Sequence, residues 1–410
     1  MQSGRLQIAV FLYGPTRGGA TRRGLALAQG FAERGHQVDL VLARRDGPLA
    51  ARVSSRVRVV DLSGGLNPPR LLRGRRMRTR LCVPGLVRYL RRERPDILLA
   101  GSTAVHLSAL RAHRRAQVDT QLVLRGCSHL SSVSLSTRRM PRPFQLVSAR
   151  LHYGSAAAAI AVSRDVAEDL ARVTSLDADR IHVVPNPVIP DDVAERATAA
   201  VDHPWFRSGE VPVILSAGRL ARQKDFPTLL RAFALLRKRR PARLVILGEA
   251  NSGSGRAELE GLAARLGIAD ELSLPGMVDN PFAYMARAAA FALSSAWEGM
   301  PGVLIEAMAC GCPVVSSDCP GGSREILEDG GLGALVPVGD AAALADALEQ
   351  TLEAPTDAER LKRRASAFGI DASVEGYLGV LRELVPGPAP RLAAPERERA
   401  LPAGATASLR

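Results

Sequence analysis

The chain has 410 residues, of which 46% are hydrophobic, 23% charged and 4% aromatic. That length favours two domains, the composition is that of an ordinary globular protein, and no apolar run reaches the roughly eighteen residues a membrane span needs. The net charge is +14, and the whole excess lies in residues 1–205, while 206–410 are slightly acidic.

The densest basic run is RLLRGRRMRTRL at 70–81. Such a field either attracts a phosphate-bearing partner, such as an anionic membrane or a charged glycolipid, or is a solvated face. Few aromatics and no recognition motif argue against a nucleic-acid partner. Five cysteines (Cys82, Cys127, Cys310, Cys312, Cys319) lack metal-ligand spacing and read as reduced, buried thiols of a cytosolic protein.

The opening LQIAVFLYG stops at Gly14-Pro15 and reads as a first strand, not a cleaved signal. A glycine loop, RGGA, follows, and 20–34 then carry a helical apolar stripe that Gly35 ends. Further strands are predicted at 37–43, 57–61, 96–100, 121–125 and 159–163, with helical patterns between them. Strands alternating with helices imply a parallel, doubly wound α/β sheet. HVVPNPVIPDD (182–192) holds three prolines and reads as an irregular linker. The rhythm restarts with a strand and exit loop at 211–220, a helix at 226–237 and strands at 243–249, 290–294, 313–317 and 333–336. The expected layout is a first domain over 1–190, a linker about 186–208, a second domain over 209–372, a crossover helix at 373–385 and a disordered tail at 386–410.

Open α/β sheets bind ligands outside the carboxyl ends of their strands. Four loops at such ends carry chemistry. WEGMPGVLIEAMACG (297–311) places Glu298 on a loop and Glu306 inside the following helix, with seven residues between them. A helix N-terminus binds phosphate, and flanking carboxylates can accept from sugar hydroxyls. Met300, Gly302 and Val303 can offer amides there, and Gly302 permits close approach. SAGRLARQKDF (216–226) offers Arg219 and Lys224 on one loop, a pair suited to a diphosphate. GPTRGGA (14–20) brings backbone at Gly18 and Gly19 near a ligand. LRGCSHL (124–130) presents His129 toward the same cleft as a possible donor.

Together these loops resemble the retaining glycosyltransferases of family 4, which have the GT-B fold of two facing Rossmann-like domains. The resemblance covers 5–385 and is strongest over 210–350. The family's E-x7-E motif is similar to Glu298–Glu306, and its GRL…K loop to Gly218, Arg219, Leu220 and Lys224. The resemblance implies that Arg219 and Lys224 neutralise the leaving diphosphate. It implies that Glu298 holds the donor sugar, with the amides around Gly302, and that Glu306 binds the ribose. Gly276 and Met277 would meet the base, and Gly18–Gly19 would line the diphosphate and acceptor side. The chain departs from the family where Cys127 or Ser128 stands at the usual histidine position, with His129 displaced. It departs again where ATRR follows the glycines in place of an acidic residue.

The implied activity is retaining transfer from a nucleotide sugar, a UDP-sugar by the resemblance, to a hydroxyl of a glycan or lipid-linked acceptor in bacterial surface polysaccharide or glycolipid synthesis. It requires no cofactor and no metal, since no Asp-x-Asp cluster sits in a suitable loop. Front-face transfer needs no protein nucleophile, and a glycosidase would leave the diphosphate loop without a purpose. The alternatives are a nucleotide-sugar epimerase of the same fold and, in a different class, a basic nucleic-acid-binding protein. The expected location is cytoplasmic, peripheral on the membrane's inner face.

Overall fold

The computed structural model describes residues 4–16, 18–63, 75–136, 153–207, 211–249 and 254–385. The tail expected at 386–410, and 70–74 of the basic run, lie outside the described residues.

The first sheet holds seven strands: β1 (Gln7–Leu12), β2 (Gln37–Leu42), β3 (Arg58–Asp61), β4 (Ile97–Ala100), β5 (Gln121–Gly126), β6 (Ala158–Ala161) and β7 (Ile181–Val183). They pair in the order β3-β2-β1-β4-β5-β6-β7, with every pairing parallel. The second sheet holds β8 (Val213–Ala217), β9 (Arg243–Leu247), β10 (Leu272–Gly276), β11 (Ala290–Leu293), β12 (Val314–Ser317) and β13 (Ala334–Val336). Their order is β10-β9-β8-β11-β12-β13, again all parallel. The central strands are apolar on both faces, as strands covered by helices on each side must be: β4 is ILLA and β8 is VILSA, and both are buried throughout.

Two strands were missed. β7 falls at the start of the proline-rich stretch read as irregular, so the linker proper begins after Val183. β10 pairs with β9 through a register shift between Ser273 and Gly276, so its LSLPG sequence lacks a clean strand pattern. The last helix, Ile370–Leu384, packs against the first, Gly19–Glu33. Its Val374 lies so close to Gly30 that a Cβ there would stand 2.5 Å from a valine methyl. Two strands of chain therefore pass between the halves, and they are tied where the Val188 and Ile189 amides donate to the Phe368 carbonyl at 2.9 and 3.1 Å.

In both sheets strand order reverses beside the first strand, between β1 and β4 and between β8 and β11. Open α/β sheets bind their ligands at such switch points. Among the described residues no helix is long and apolar enough to cross a membrane.

The helix Thr103–Ala116 seats a buried histidine against β5. His106 Nε2 lies 3.1 Å from the Arg125 carbonyl and Nδ1 lies 2.8 Å from the Tyr153 hydroxyl. A carbonyl only accepts, so Nε2 carries the proton and Nδ1 accepts from Tyr153. Burial pushes this imidazole down to about 4 from its usual 6.5. The unfolded chain therefore takes up this proton well before the folded one, and stability drops as pH falls from 6.5 toward 4. Each unit in that window costs up to about 1.4 kcal/mol. Urea unfolding at pH 7 and pH 5 should differ by about 2 kcal/mol from this group. The difference should shrink by that amount in His106→Gln; an unchanged pH slope in the variant would show that His106 does not set it.

Candidate active site

The second sheet's switch point is built by serines at strand ends. Ser216 Oγ donates to the Ala292 carbonyl at 2.6 Å and Ser317 Oγ to the Ser295 carbonyl at 2.6 Å. Ser294 Oγ donates to the Lys224 carbonyl at 2.8 Å. A short hydroxyl bonds a neighbouring backbone without filling space, so these residues fix the loops leaving β8 and β11 against each other.

Those loops bring together Lys224 and Glu298, two residues singled out in the sequence for separate roles, as an ion pair. Lys224 Nζ donates to Glu298 Oε1 at 2.7 Å, and Ser295 Oγ donates to the same oxygen at 2.8 Å. Glu298 is only 8% exposed. Its Oε2 accepts a long bond of 3.4 Å from Gln223 Nε2, so that oxygen retains lone pairs for a ligand hydroxyl. Gln223 was not singled out in the sequence, yet it organises the loop. It donates to the Trp297 carbonyl at 2.9 Å, and its Oε1 accepts from Arg219 Nη2 at 3.2 Å. Arg219 is exposed at the rim. Lysine nitrogen has three protons, so Lys224 can hold Glu298 and still donate to a phosphate.

Gly218 lies under the Lys224 stem; a Cβ there would stand 2.7 Å from Cε. Gly248, at the exit of β9, crosses Gly218 with φ +140, and a Cβ would stand 1.8 Å from the Gly218 carbonyl oxygen. Gly276 ends β10 at the sheet edge, its carbonyl accepting from Gly248 N at 2.8 Å, and Met277 beside it is 45% exposed.

Glu306 lies in the helix Gly302–Ala309, capped by Pro301, with Met300 buried just before it. Gly302 and Val303 are the helix's first residues, and their amides are among those a helix leaves unpaired. Glu306 is 3% exposed and accepts at Oε1 from Arg23 Nη2 at 2.5 Å. Arg23 belongs to the first half, in the ATRR segment after the glycine loop, and was not expected here. Glu298 and Glu306 thus have different cations, one from each half.

Gly18 is the N-cap of the Gly19–Glu33 helix. A Cβ at Gly19 would meet nothing within 4 Å, so open space, not packing, surrounds it. The loop after β5 abuts the Glu298 loop, with the Cys127 carbonyl 2.3 Å from where a Gly299 Cβ would stand. His129 turns toward first-half acids instead. Its Nδ1 lies 2.9 Å from Ser132 Oγ and 3.6 Å from Asp169 Oδ2, and its Nε2 lies 3.5 Å from Asp165 Oδ2. Asp165 in turn accepts from the Gly321 amide at 2.6 Å, across the two halves.

Residues 17–192 match the family model described as Glycosyltransferase Family 4, and 202–368 match Glycosyl transferases group 1. The chain belongs to the group 1 glycosyltransferases of family 4. It is 33% identical, over 205 residues, to a Campylobacter jejuni enzyme named N-acetylgalactosamine-N,N'-diacetylbacillosaminyl-diphospho-undecaprenol 4-alpha-N-acetylgalactosaminyltransferase, covering 49% of this chain and 53% of that one. It is 36% identical, over 239 residues, to a D-inositol 3-phosphate glycosyltransferase of Xylanimonas cellulosilytica, covering 54% and 56%. The chain spans about half the length of these curated relatives. Sucrose-phosphate synthase of Thermosynechococcus elongatus superposes with a TM-score of 0.76 at 22% identity, covering 93% of this chain and 99% of that one. Anabaena HepE in complex with UDP and glucose does so with a TM-score of 0.71 at 20% identity, covering 92% and 100%. These likenesses establish the GT-B fold.

The Gly248–Gly218 crossing gives a direct test of how the Lys224 loop is held. Gly248→Ala should cost more than the roughly 1–3 kcal/mol of backbone strain alone, because the carbonyl of Gly218 must also move. Gly267→Ala, at φ +69 with nothing within 4 Å of a Cβ, carries strain without the clash. Denaturant unfolding of the two variants should separate them by 1 kcal/mol or more; equal losses would mean that the crossing does not constrain the loop.

Proposed function

We propose that this glycosyltransferase moves a sugar, with retention, from a nucleotide diphosphate sugar to a hydroxyl of a glycan or lipid-linked acceptor in bacterial surface polysaccharide or glycolipid synthesis. The observation that carries the reading is the Lys224–Glu298 pair at the second sheet's switch point, beside the N-terminus of the Gly302–Ala309 helix. Lys224, Arg219 and the first amides of that helix would stabilise the departing diphosphate. In a water-excluded site, each such preorganised donor typically contributes about 2.7–4 kcal/mol. Glu298 Oε2 would accept from a donor-sugar hydroxyl, and Glu306 from the ribose. The departing phosphate oxygen would take the acceptor's proton, so no protein nucleophile is needed.

A UDP-sugar is the favoured donor, a choice that leans on the family resemblance and on HepE having been solved with UDP and glucose. A lipid-linked acceptor draws support from the diphospho-undecaprenol named for the Campylobacter relative. Thermal unfolding with UDP, ADP or GDP tests the donor class. A ligand at a hundredfold excess over its Kd stabilises by about 2.7 kcal/mol, so UDP should raise Tm by several degrees. The rise should be smaller in Glu306→Gln, which keeps the side chain's shape. If no nucleotide shifts the folded protein, the donor reading is wrong.

The basic first half would rest on an anionic membrane face. The short helix Arg75–Leu81 supports this, since it exposes Met77 and Leu81 beside Arg80. Cofloating the protein with phosphatidylglycerol vesicles should recover more of it than phosphatidylcholine vesicles do, and Leu81→Glu should reduce that recovery. Equal recovery on both vesicle types would remove the membrane from the proposal.

A further inference from the structure

Arg23 is the one side chain described above that reaches from the glycine-loop helix to the E-x7-E helix. Its Nη2 donates to Glu306 Oε1 at 2.5 Å and its Nη1 to the Val188 carbonyl at 3.0 Å. The side chain is 14% exposed and that of Glu306 is 4% exposed. Val188 belongs to the linker, and its amide is already tied to Phe368 on the returning chain. One guanidinium therefore joins the first half, the hinge and the second half.

Apart from Glu306 and the Val188 carbonyl its surroundings disfavour its charge, burial most of all. Arg22 and Arg125 both oppose its charge, and it lies over the positive end of the Gly302–Ala309 helix, where a Cβ on Gly302 would stand 2.7 Å from Nη2. Glu306 is what holds the cation there, and the contact exists only while the halves are together. A carboxylate offers about four lone-pair positions, and Arg23 occupies one on Oε1. The remaining positions keep a fixed direction only as long as Arg23 fixes the group.

We propose that Arg23 is a positioning residue for Glu306, orienting its carboxylate toward the donor ribose and making ribose recognition depend on closure of the two halves. The inference rests on the donor reading given above for Glu306. A planar fork that bonds Glu306 and Val188 at once sets the carboxylate's rotation; a lysine could supply the charge but not both bonds. Losing the fork should weaken contacts to ribose hydroxyls and leave contacts to the diphosphate largely intact.

Calorimetric titration of the full chain with UDP and with its 2′-deoxy and 3′-deoxy forms reads this directly, with ADP and GDP and their deoxy forms run in parallel. Wild type should prefer the ribonucleotide. Arg23→Ala should weaken it by about tenfold, in line with loss of a charge-assisted hydrogen bond, and barely change the deoxy forms, so the preference collapses. Glu306→Gln should do the same, the double variant should be no worse than Glu306→Gln alone, and Arg23→Lys should recover part of the preference. Arg23→Lys also keeps the test open if the alanine variant does not fold. The proposal is overturned if Arg23→Ala keeps the ribose preference, or binds the ribonucleotide more tightly, while Glu306→Gln loses it. A preference that survives Glu306→Gln would instead remove the ribose role of Glu306, and the proposal with it.

Discussion

The join between the first sheet, the linker and the returning helix depends on one buried cation, Arg125. It is fully buried at the end of β5, and its guanidinium bonds four neutral acceptors from separate parts of the chain. Nη1 donates to the carbonyls of Ala20 and Gly101 at 3.1 and 2.9 Å, Nε to the Tyr377 hydroxyl at 3.1 Å, and Nη2 to Asn186 Oδ1. A buried guanidinium is costly unless its donors are satisfied, so the acceptors must all stay in place. Ala20 starts the helix after the glycine loop, Gly101 is the exit of β4, Asn186 is in the linker and Tyr377 is in the last helix. The first sheet's switch point, the hinge and the returning helix are thereby fixed to one group.

The halves share one apolar cluster that runs through Val188 and Ile189 to Met300 and Leu304, and short polar contacts add to it. Ser163 Oγ donates to the Gly299 carbonyl at 3.1 Å, the Gly321 amide to Asp165, and the Arg164 amide to Glu325 at 2.9 Å. Gly299 and Gly321 both run against backbone, close enough that any side chain would collide. Bonds of this kind break and re-form against water at little net free energy, unlike a packed apolar interface.

Most of the fold was legible because both sheets have apolar central strands separated by helices of ordinary length. The predicted helix over 226–237 matches the helix Phe226–Arg237, and the strands at 37–43 and 121–125 differ from β2 and β5 by one residue at an end. β7 and β10 escaped because both are edge strands, β10 with Pro275 inside it and β7 just before Pro185, and an edge strand needs no two-sided apolar pattern. In the site, Lys224 and Glu298 were legible because their chemistry and spacing are carried by local loops. Gln223 was in the quoted stretch but reads as a neutral amide until its partners are seen. Arg23 could not be read at all: its partner is 283 residues away, and one more arginine in an arginine-rich half carries no pattern.

The seven residues between the two glutamates acquire a physical meaning from this division. Glu298 stops before the helix, where Lys224, Gln223 and Ser295 all come from the same sheet, so its geometry is complete within the second half alone. Glu306 lies one turn inside the helix, on the side that meets the first half, and its cation crosses the cleft. One residue more or fewer would turn the second carboxylate by about 100° around the helix, away from the face that meets Arg23. One acid is then preformed and the other is completed by closure.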